Sequence, residues 1–180
     1  LVQVTDRGDL ADWSISPSLD GRYVYYTAGT GAWRTDLETL KEEQLAAFGD
    51  VEMRESGMVA AALGTTALSA DGRWWAIPVK AGKVSRFWLI DTVERTSTIF
   101  LERDTIGHPQ FCPDDADVIL YAGPLTDRTW VTDRAGHTRR LYGRRDRLQW
   151  VTHESFIPGR FEVAFVDWPR GVRAVSLRDG

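Results

Sequence analysis

Two histidines in this sequence have the residue type and the spacing to do chemistry together. His108 and His153 stand 45 residues apart, and each opens a segment of similar plan. The first reads His108-Pro109-Gln110-Phe111-Cys112-Pro113; the second reads His153-Glu154-Ser155-Phe156-Ile157-Pro158. Imidazole titrates near neutral pH, so it can take a proton as a general base or, when neutral, ligate a metal. A lone histidine is more often a hydrogen-bonded structural residue. Two at one structural position, facing the same space, point to function. The third histidine, His137, lies in Asp133-Arg134-Ala135-Gly136-His137. That is a hairpin-turn sequence, where a solvated surface residue is expected.

An internal repeat is what would bring His108 and His153 together. Four segments share a short strand, a Pro or small residue with turn chemistry, and then a strongly apolar strand. They run Asp12 to Pro17 with Asp20-Gly21 and Tyr23 to Tyr26, and Thr65 to Ala70 with Asp71-Gly72 and Trp74 to Ile77. The third and fourth run His108 to Pro113 with Asp114-Asp115 and Val118 to Tyr121, and His153 to Pro158 with Gly159 and Phe161 to Val166. Their anchors, Pro17, Ala70, Pro113 and Pro158, are 53, 43 and 45 residues apart. Periods of about 40 to 50 residues with a hairpin signal in each mean propeller blades. A third strand repeats as Trp33-x-x-Asp36, Trp88-x-x-Asp91 and Trp130-x-x-Asp133, each followed by a turn and a more polar fourth strand. The fourth repeat departs from this at Val175 to Arg178.

The fold class these patterns predict is all-β: a propeller fragment of about four blades of four-stranded antiparallel sheets. The chain is expected to be one partial domain, with blades near 1–50, 51–101, 102–145 and 146–180, the last incomplete. Leu40 to Gly64 fills the longer first spacing, and an Ala-rich stretch within it is expected to be a loop or a short helix. A β-sandwich also places strands at regular intervals, but repetition of a whole four-strand unit favours the propeller.

Strand periodicity then locates a site. Five residues before each anchor stand Asp12, Thr65, His108 and His153; two later come Ser14, Ala67, Gln110 and Ser155; next come Ile15, Leu68, Phe111 and Phe156. Side chains two apart share a face and the next lies on the other. The apolar column is expected to pack between blades. The polar column is expected to line the central channel or its mouth, with Gln110 as a substrate-binding residue.

Composition limits the partners. Hydrophobic residues make up 43% of the chain and there are eight Trp, enough for a core of sheets. The formal charge of −4 leaves no basic excess for nucleic acid or an anionic membrane. An anionic ligand would need a local cationic site or a metal. Cys112 is the single cysteine, which excludes an internal disulfide and fits a reducing compartment. No run of about 18 apolar residues is present to span a bilayer as a helix. Leu1-Val2-Gln3-Val4 is neither an initiator Met nor a signal peptide, and Asp179-Gly180 is a turn signal, so a piece of a longer protein is expected.

The third and fourth repeats carry a resemblance. Gly107-His108-Pro109-Gln110-Phe111-Cys112-Pro113-Asp114-Asp115 resembles a stretch of the oligogalacturonate lyases, and Thr152-His153-Glu154-Ser155-Phe156-Ile157-Pro158 resembles a segment that tends to read Thr-His-Glu-Phe-Trp in that family. The likeness covers about residues 85 to 165; elsewhere it is the generic repeat of TolB-type and WD40-like propellers. The resemblance implies a seven-bladed, cytoplasmic propeller that degrades pectin fragments and binds a divalent metal, manganese by expectation, in its channel. His108 then matches the general base and His153 one metal ligand. Arg86, in Ser85-Arg86-Phe87-Trp88, matches a catalytic arginine that also binds the uronate. The remaining ligands, a Gln and two His of a later blade, have no counterpart here. Where the family reads Cys-His-Glu-Gly-Pro, this chain has Tyr121-Ala122-Gly123-Pro124.

The implied reaction is β-elimination: loss of the C5 proton of a uronate and departure of the C4 oxygen. That proton is weakly acidic, so a cation at the carboxylate and a base near neutral pKa are both needed. The resemblance implies a carbon–oxygen lyase acting on short unsaturated galacturonate oligomers in the complete protein, with the isolated 180 residues inactive. The competing class is a non-catalytic TolB- or WD40-like module for protein interaction. A serine-peptidase propeller has no Gly-x-Ser-x-Gly elbow here to support it.

Overall fold

A computed structural model of the chain describes residues 1–11, 13–48 and 65–178. These residues form fifteen strands and no helix. The first sheet contains β1 (Ser16–Pro17), β2 (Tyr23–Ala28), β3 (Gly31–Asp36) and β4 (Glu42–Ala47). The second contains β5 (Ala67–Leu68), β6 (Trp74–Ala81), β7 (Val84–Asp91) and β8 (Thr96–Arg103). The third contains β9 (Gly107–Cys112), β10 (Asp115–Ala122), β11 (Thr129–Thr132) and β12 (Thr138–Tyr142), and the fourth β13 (Trp150–Ile157), β14 (Glu162–Trp168) and β15 (Gly171–Ser176). Within each sheet the strands lie in sequence order and every neighbour is antiparallel. This is the all-β propeller fragment that the repeat predicts.

The turn residues of the repeat explain each hairpin. Ser18 Oγ donates to Asp20 at 2.6 Å and accepts the Tyr23 amide at 2.9 Å. Ser69 and Asp71 do the same before Trp74. Gly21 and Gly72 close these turns at φ of 71° and 72°, a left-handed conformation that a Cβ penalises. The Asp of Trp-x-x-Asp is also structural. One oxygen of Asp36 accepts the amides of Glu38 and Thr39, and one of Asp91 accepts those of Val93 and Glu94. The other oxygens accept from Arg22 and Arg73, the residues that follow the Asp-Gly turns. Burial acts to raise the Asp91 carboxyl, but Arg73 and the two amides outweigh it, and the net shift is downward.

Apolar seams join the sheets. In β6, Trp75, Ile77 and Val79 pack toward the first sheet against Tyr25, Ala32 and Leu45. Ala76 packs the other way with Phe87, Phe111 and Tyr121 of the second and third sheets. Leu120, Val131, Phe156 and Val163 form the seam between the third and fourth. The first strands of the sheets lie side by side on the axis side. Thr66 Oγ1 donates to the Ser14 carbonyl at 3.0 Å, β5 touches β9, and β9 touches β13.

Two expectations change. Ile15 belongs to the apolar column but is 59% exposed, while Phe111 and Phe156 are buried, because no preceding sheet covers it among the described residues. Ser14 belongs to the polar column but is fully buried. Its hydroxyl donates to the Ala11 carbonyl and accepts the Thr27 amide at 2.9 Å, standing in for a ladder partner. The segment from Leu40 begins with β4; residues 49 to 64, which take in much of its Ala-rich stretch, and Asp12 of the polar column lie outside the described residues.

Trp75 has no exposed surface, meets Tyr25 edge-on at 5.5 Å and donates to Thr66 at 3.0 Å. Trp75→Ala should lower stability by about 3–5 kcal/mol in urea denaturation. A loss under about 1 kcal/mol would mean this seam is not a packed core.

Candidate functional site

His108 and His153 occupy matching irregularities. The β9–β10 register slips between the pairs Leu120–Gln110 and Ala122–Gly107, around His108. The β13–β14 register slips between Thr152–Val166 and Ser155–Ala164, around His153. Both residues have left-handed backbone, at φ of 46° and 54°. Such a conformation in a non-glycine residue costs on the order of 1–3 kcal/mol and clusters at functional positions. The extra residue of a bulge re-aims its side chain. Here each histidine is exposed, while the residue after it, Pro109 or Glu154, is buried. The register puts His108 opposite the end of β10 and His153 opposite the middle of β14.

Two charged residues connect these positions. Glu154 in β13 accepts from Arg128 Nε at 2.8 Å, with side chains only 6% and 14% exposed. Gln110 in β9 donates to the Glu154 main-chain carbonyl at 2.5 Å. Gln110, expected to meet substrate, therefore bridges the third and fourth sheets through its amide nitrogen. The loop carrying Arg128 is tightly closed: Gly123 N donates to the Arg128 carbonyl at 2.6 Å, and Trp130 Nε1 to that of Asp127 at 2.7 Å. A Cβ on Gly123 would stand 2.6 Å from the Asp127 carbonyl oxygen and 2.8 Å from Trp130 Nε1, so this position needs glycine. His108, Arg128, Thr105, Gly123 and Leu125 line a pocket of about 560 Å³.

The charges set the state of His108. Loss of hydration lowers its pKa most, Arg128 and His153 lower it further, and Glu154 opposes them. The net shift is below the ordinary value of 6.5, which leaves the ring neutral and able to accept a proton at pH 7.

The other expected residues are placed differently. Arg86 in β7 pairs with Glu102 of β8 at 2.7 Å and is not among the charges acting on His108. His137 is on the exposed turn, paired with Asp133 at 2.7 Å. Among the described residues no group of three or more His, Cys, Asp or Glu lies together to hold a metal ion. Among the described residues His153 is thus a single donor, and that set does not complete a manganese site. Arg128 and Glu154 were not singled out from the sequence. Glu154 stands in the His-Glu pair of the fourth segment, but its partner is 26 residues away on another sheet.

Comparison with known proteins finds the fold. No family model matches the sequence, and no curated protein matches it. Among solved structures, an oligogalacturonate lyase in complex with manganese superimposes with a TM-score of 0.70 at 17% identity, covering 96% of this chain and 55% of that one. An oligogalacturonate lyase from Vibrio parahaemolyticus gives 0.78 at 17% identity, covering 98% and 53%. TolB from Acinetobacter baumannii gives 0.60 at 15% identity, covering 93% and 41%. The chain spans about half the length of the two lyase structures. At these identities the likeness is one of propeller fold.

The electrostatics can be checked by NMR titration. His108 should titrate below 6.5. Arg128→Gln should raise that value and Glu154→Gln should lower it further, since the two charges act in opposite senses. Equal shifts of one sign in both variants would contradict this arrangement.

Proposed function

We propose that this chain carries the base-bearing part of an oligogalacturonate-lyase-like site, acting on short unsaturated galacturonate oligomers by β-elimination. The observation that supports it is the pair of histidines at matching left-handed bulges on adjacent inner strands, with His108 kept neutral beside a cation. His108 would take the C5 proton. The C–H electron pair would form the C4–C5 double bond as the C4–O bond breaks, and the departing oxygen would acquire a proton. A cation at the uronate carboxylate lowers the barrier by stabilising the charge that develops there. His153 is the residue the resemblance assigns to a metal. The described residues do not complete such a site, and no step here passes through one.

A second reading is a non-catalytic propeller module for protein interaction. The lack of a metal group among the described residues favours it, as does the fold shared with TolB.

Incubating the protein that carries these residues with unsaturated digalacturonate, and measuring the keto-uronate product by carbonyl chemistry, separates the two. Turnover should appear, and His108→Ala should reduce it by about two to four powers of ten without unfolding the chain. If His108→Ala is as active as the parent, or if the parent forms no product, the interaction module stands in place of the lyase.

A further inference from the structure

We infer that Arg128, oriented by Glu154, is the residue that grips the carboxylate of an acidic sugar in the pocket beside His108, in the place expected for Arg86. This rests on the acidic-oligosaccharide reading above and adds the group that recognises the acid.

The geometry separates the two edges of the guanidinium. Nε is taken by Glu154 at 2.8 Å, and neither Nη makes a hydrogen bond to the described residues. Arg128 lines the same pocket as His108, so the unused edge is available to a ligand there. Two parallel Nη–H donors match the two oxygens of a carboxylate. Because the side chain is 14% exposed, water screens this cation less than a surface one. Glu154 is a positioning residue: its carboxylate, 6% exposed, fixes the roll of the guanidinium from behind. The closed turn from Gly123 to Arg128 fixes its base.

Arg86 and Arg103 are engaged elsewhere. Arg86 is on Glu102. Arg103 lies over Trp130 at 3.9 Å and donates to Tyr121 Oη at 3.0 Å. With a formal charge of −4 on the chain, an anionic ligand has to find a local cation, and Arg128 supplies one next to a neutral base.

The test is calorimetric titration of the protein with digalacturonate and with its dimethyl ester, which keeps the shape and removes the charge. The acid should bind about tenfold to a hundredfold more tightly than the ester. In Arg128→Gln/Glu154→Gln, which replaces the ion pair by two amides, that ratio should fall to near one while ester affinity stays. Loss of fold alone would weaken both ligands together. Should the double variant not fold, Arg128→Lys serves instead. It keeps the charge and the contact with Glu154 but not the fork, and should still lose most of the ratio. An unchanged ratio in these variants, loss of the ratio in Arg86→Gln instead, or no preference for the acid in the parent would each overturn the inference. An intact, Arg128-dependent ratio without turnover would remove the lyase reading and leave this one standing. Turnover with a ratio indifferent to Arg128 would do the reverse.

Discussion

The ion pair between Arg128 and Glu154 is the interaction on which the site depends. It crosses the seam between the third and fourth sheets, and both side chains are nearly out of water. Removing one partner of such a pair strands a buried charge, an effect of about 3–5 kcal/mol. That makes the relative position of the two sheets at this end a matter of charge as well as packing. Gln110 reinforces the joint from β9 through the Glu154 carbonyl. His153 immediately precedes Glu154, and His108 lies two residues before Gln110, so the joint helps to set their separation.

The division of labour within each inner strand follows from the bulge. A regular strand would keep strict alternation, but in β13 the buried positions run Val151, Glu154 and Phe156, so their phase slips at His153. The left-handed residue of β9, His108, faces the pocket, and the successor of the left-handed residue of β13, Glu154, turns into the seam to meet Arg128. Apolar seams away from the axis are built around Trp75, Phe87 and Leu120. The sheets supply rigidity, and the departure from sheet geometry supplies the site.

Much of this was legible in the chain. The Ser-x-Asp-Gly turns and the Trp-x-x-Asp strands act through neighbours a few residues away, so their spacing announces them. The apolar column at Phe111 and Phe156 follows from period two. Ile15 and Ser14 escaped because their surroundings depend on which face has a neighbouring sheet, a fact no local pattern contains. The histidine pair was visible as a repeat position, but its left-handed backbone was not. Arg128 and Glu154 were missed for a physical reason: a charged residue reads as solvated until a partner from another sheet is known to bury it. Arg86 drew attention by resemblance, whereas the structure pairs it with Glu102.

The central claim is spatial: His108 and Arg128 share one pocket, with Glu154 behind Arg128 and His153 close enough to act on His108. A crystal structure of the protein soaked with digalacturonate examines it most directly. The account expects a uronate carboxylate on the Nη edge of Arg128, Glu154 still on Nε, and the His108 ring facing the sugar. An empty pocket at saturating ligand, or imidazoles of His108 and His153 turned into separate seams between the sheets, would contradict it.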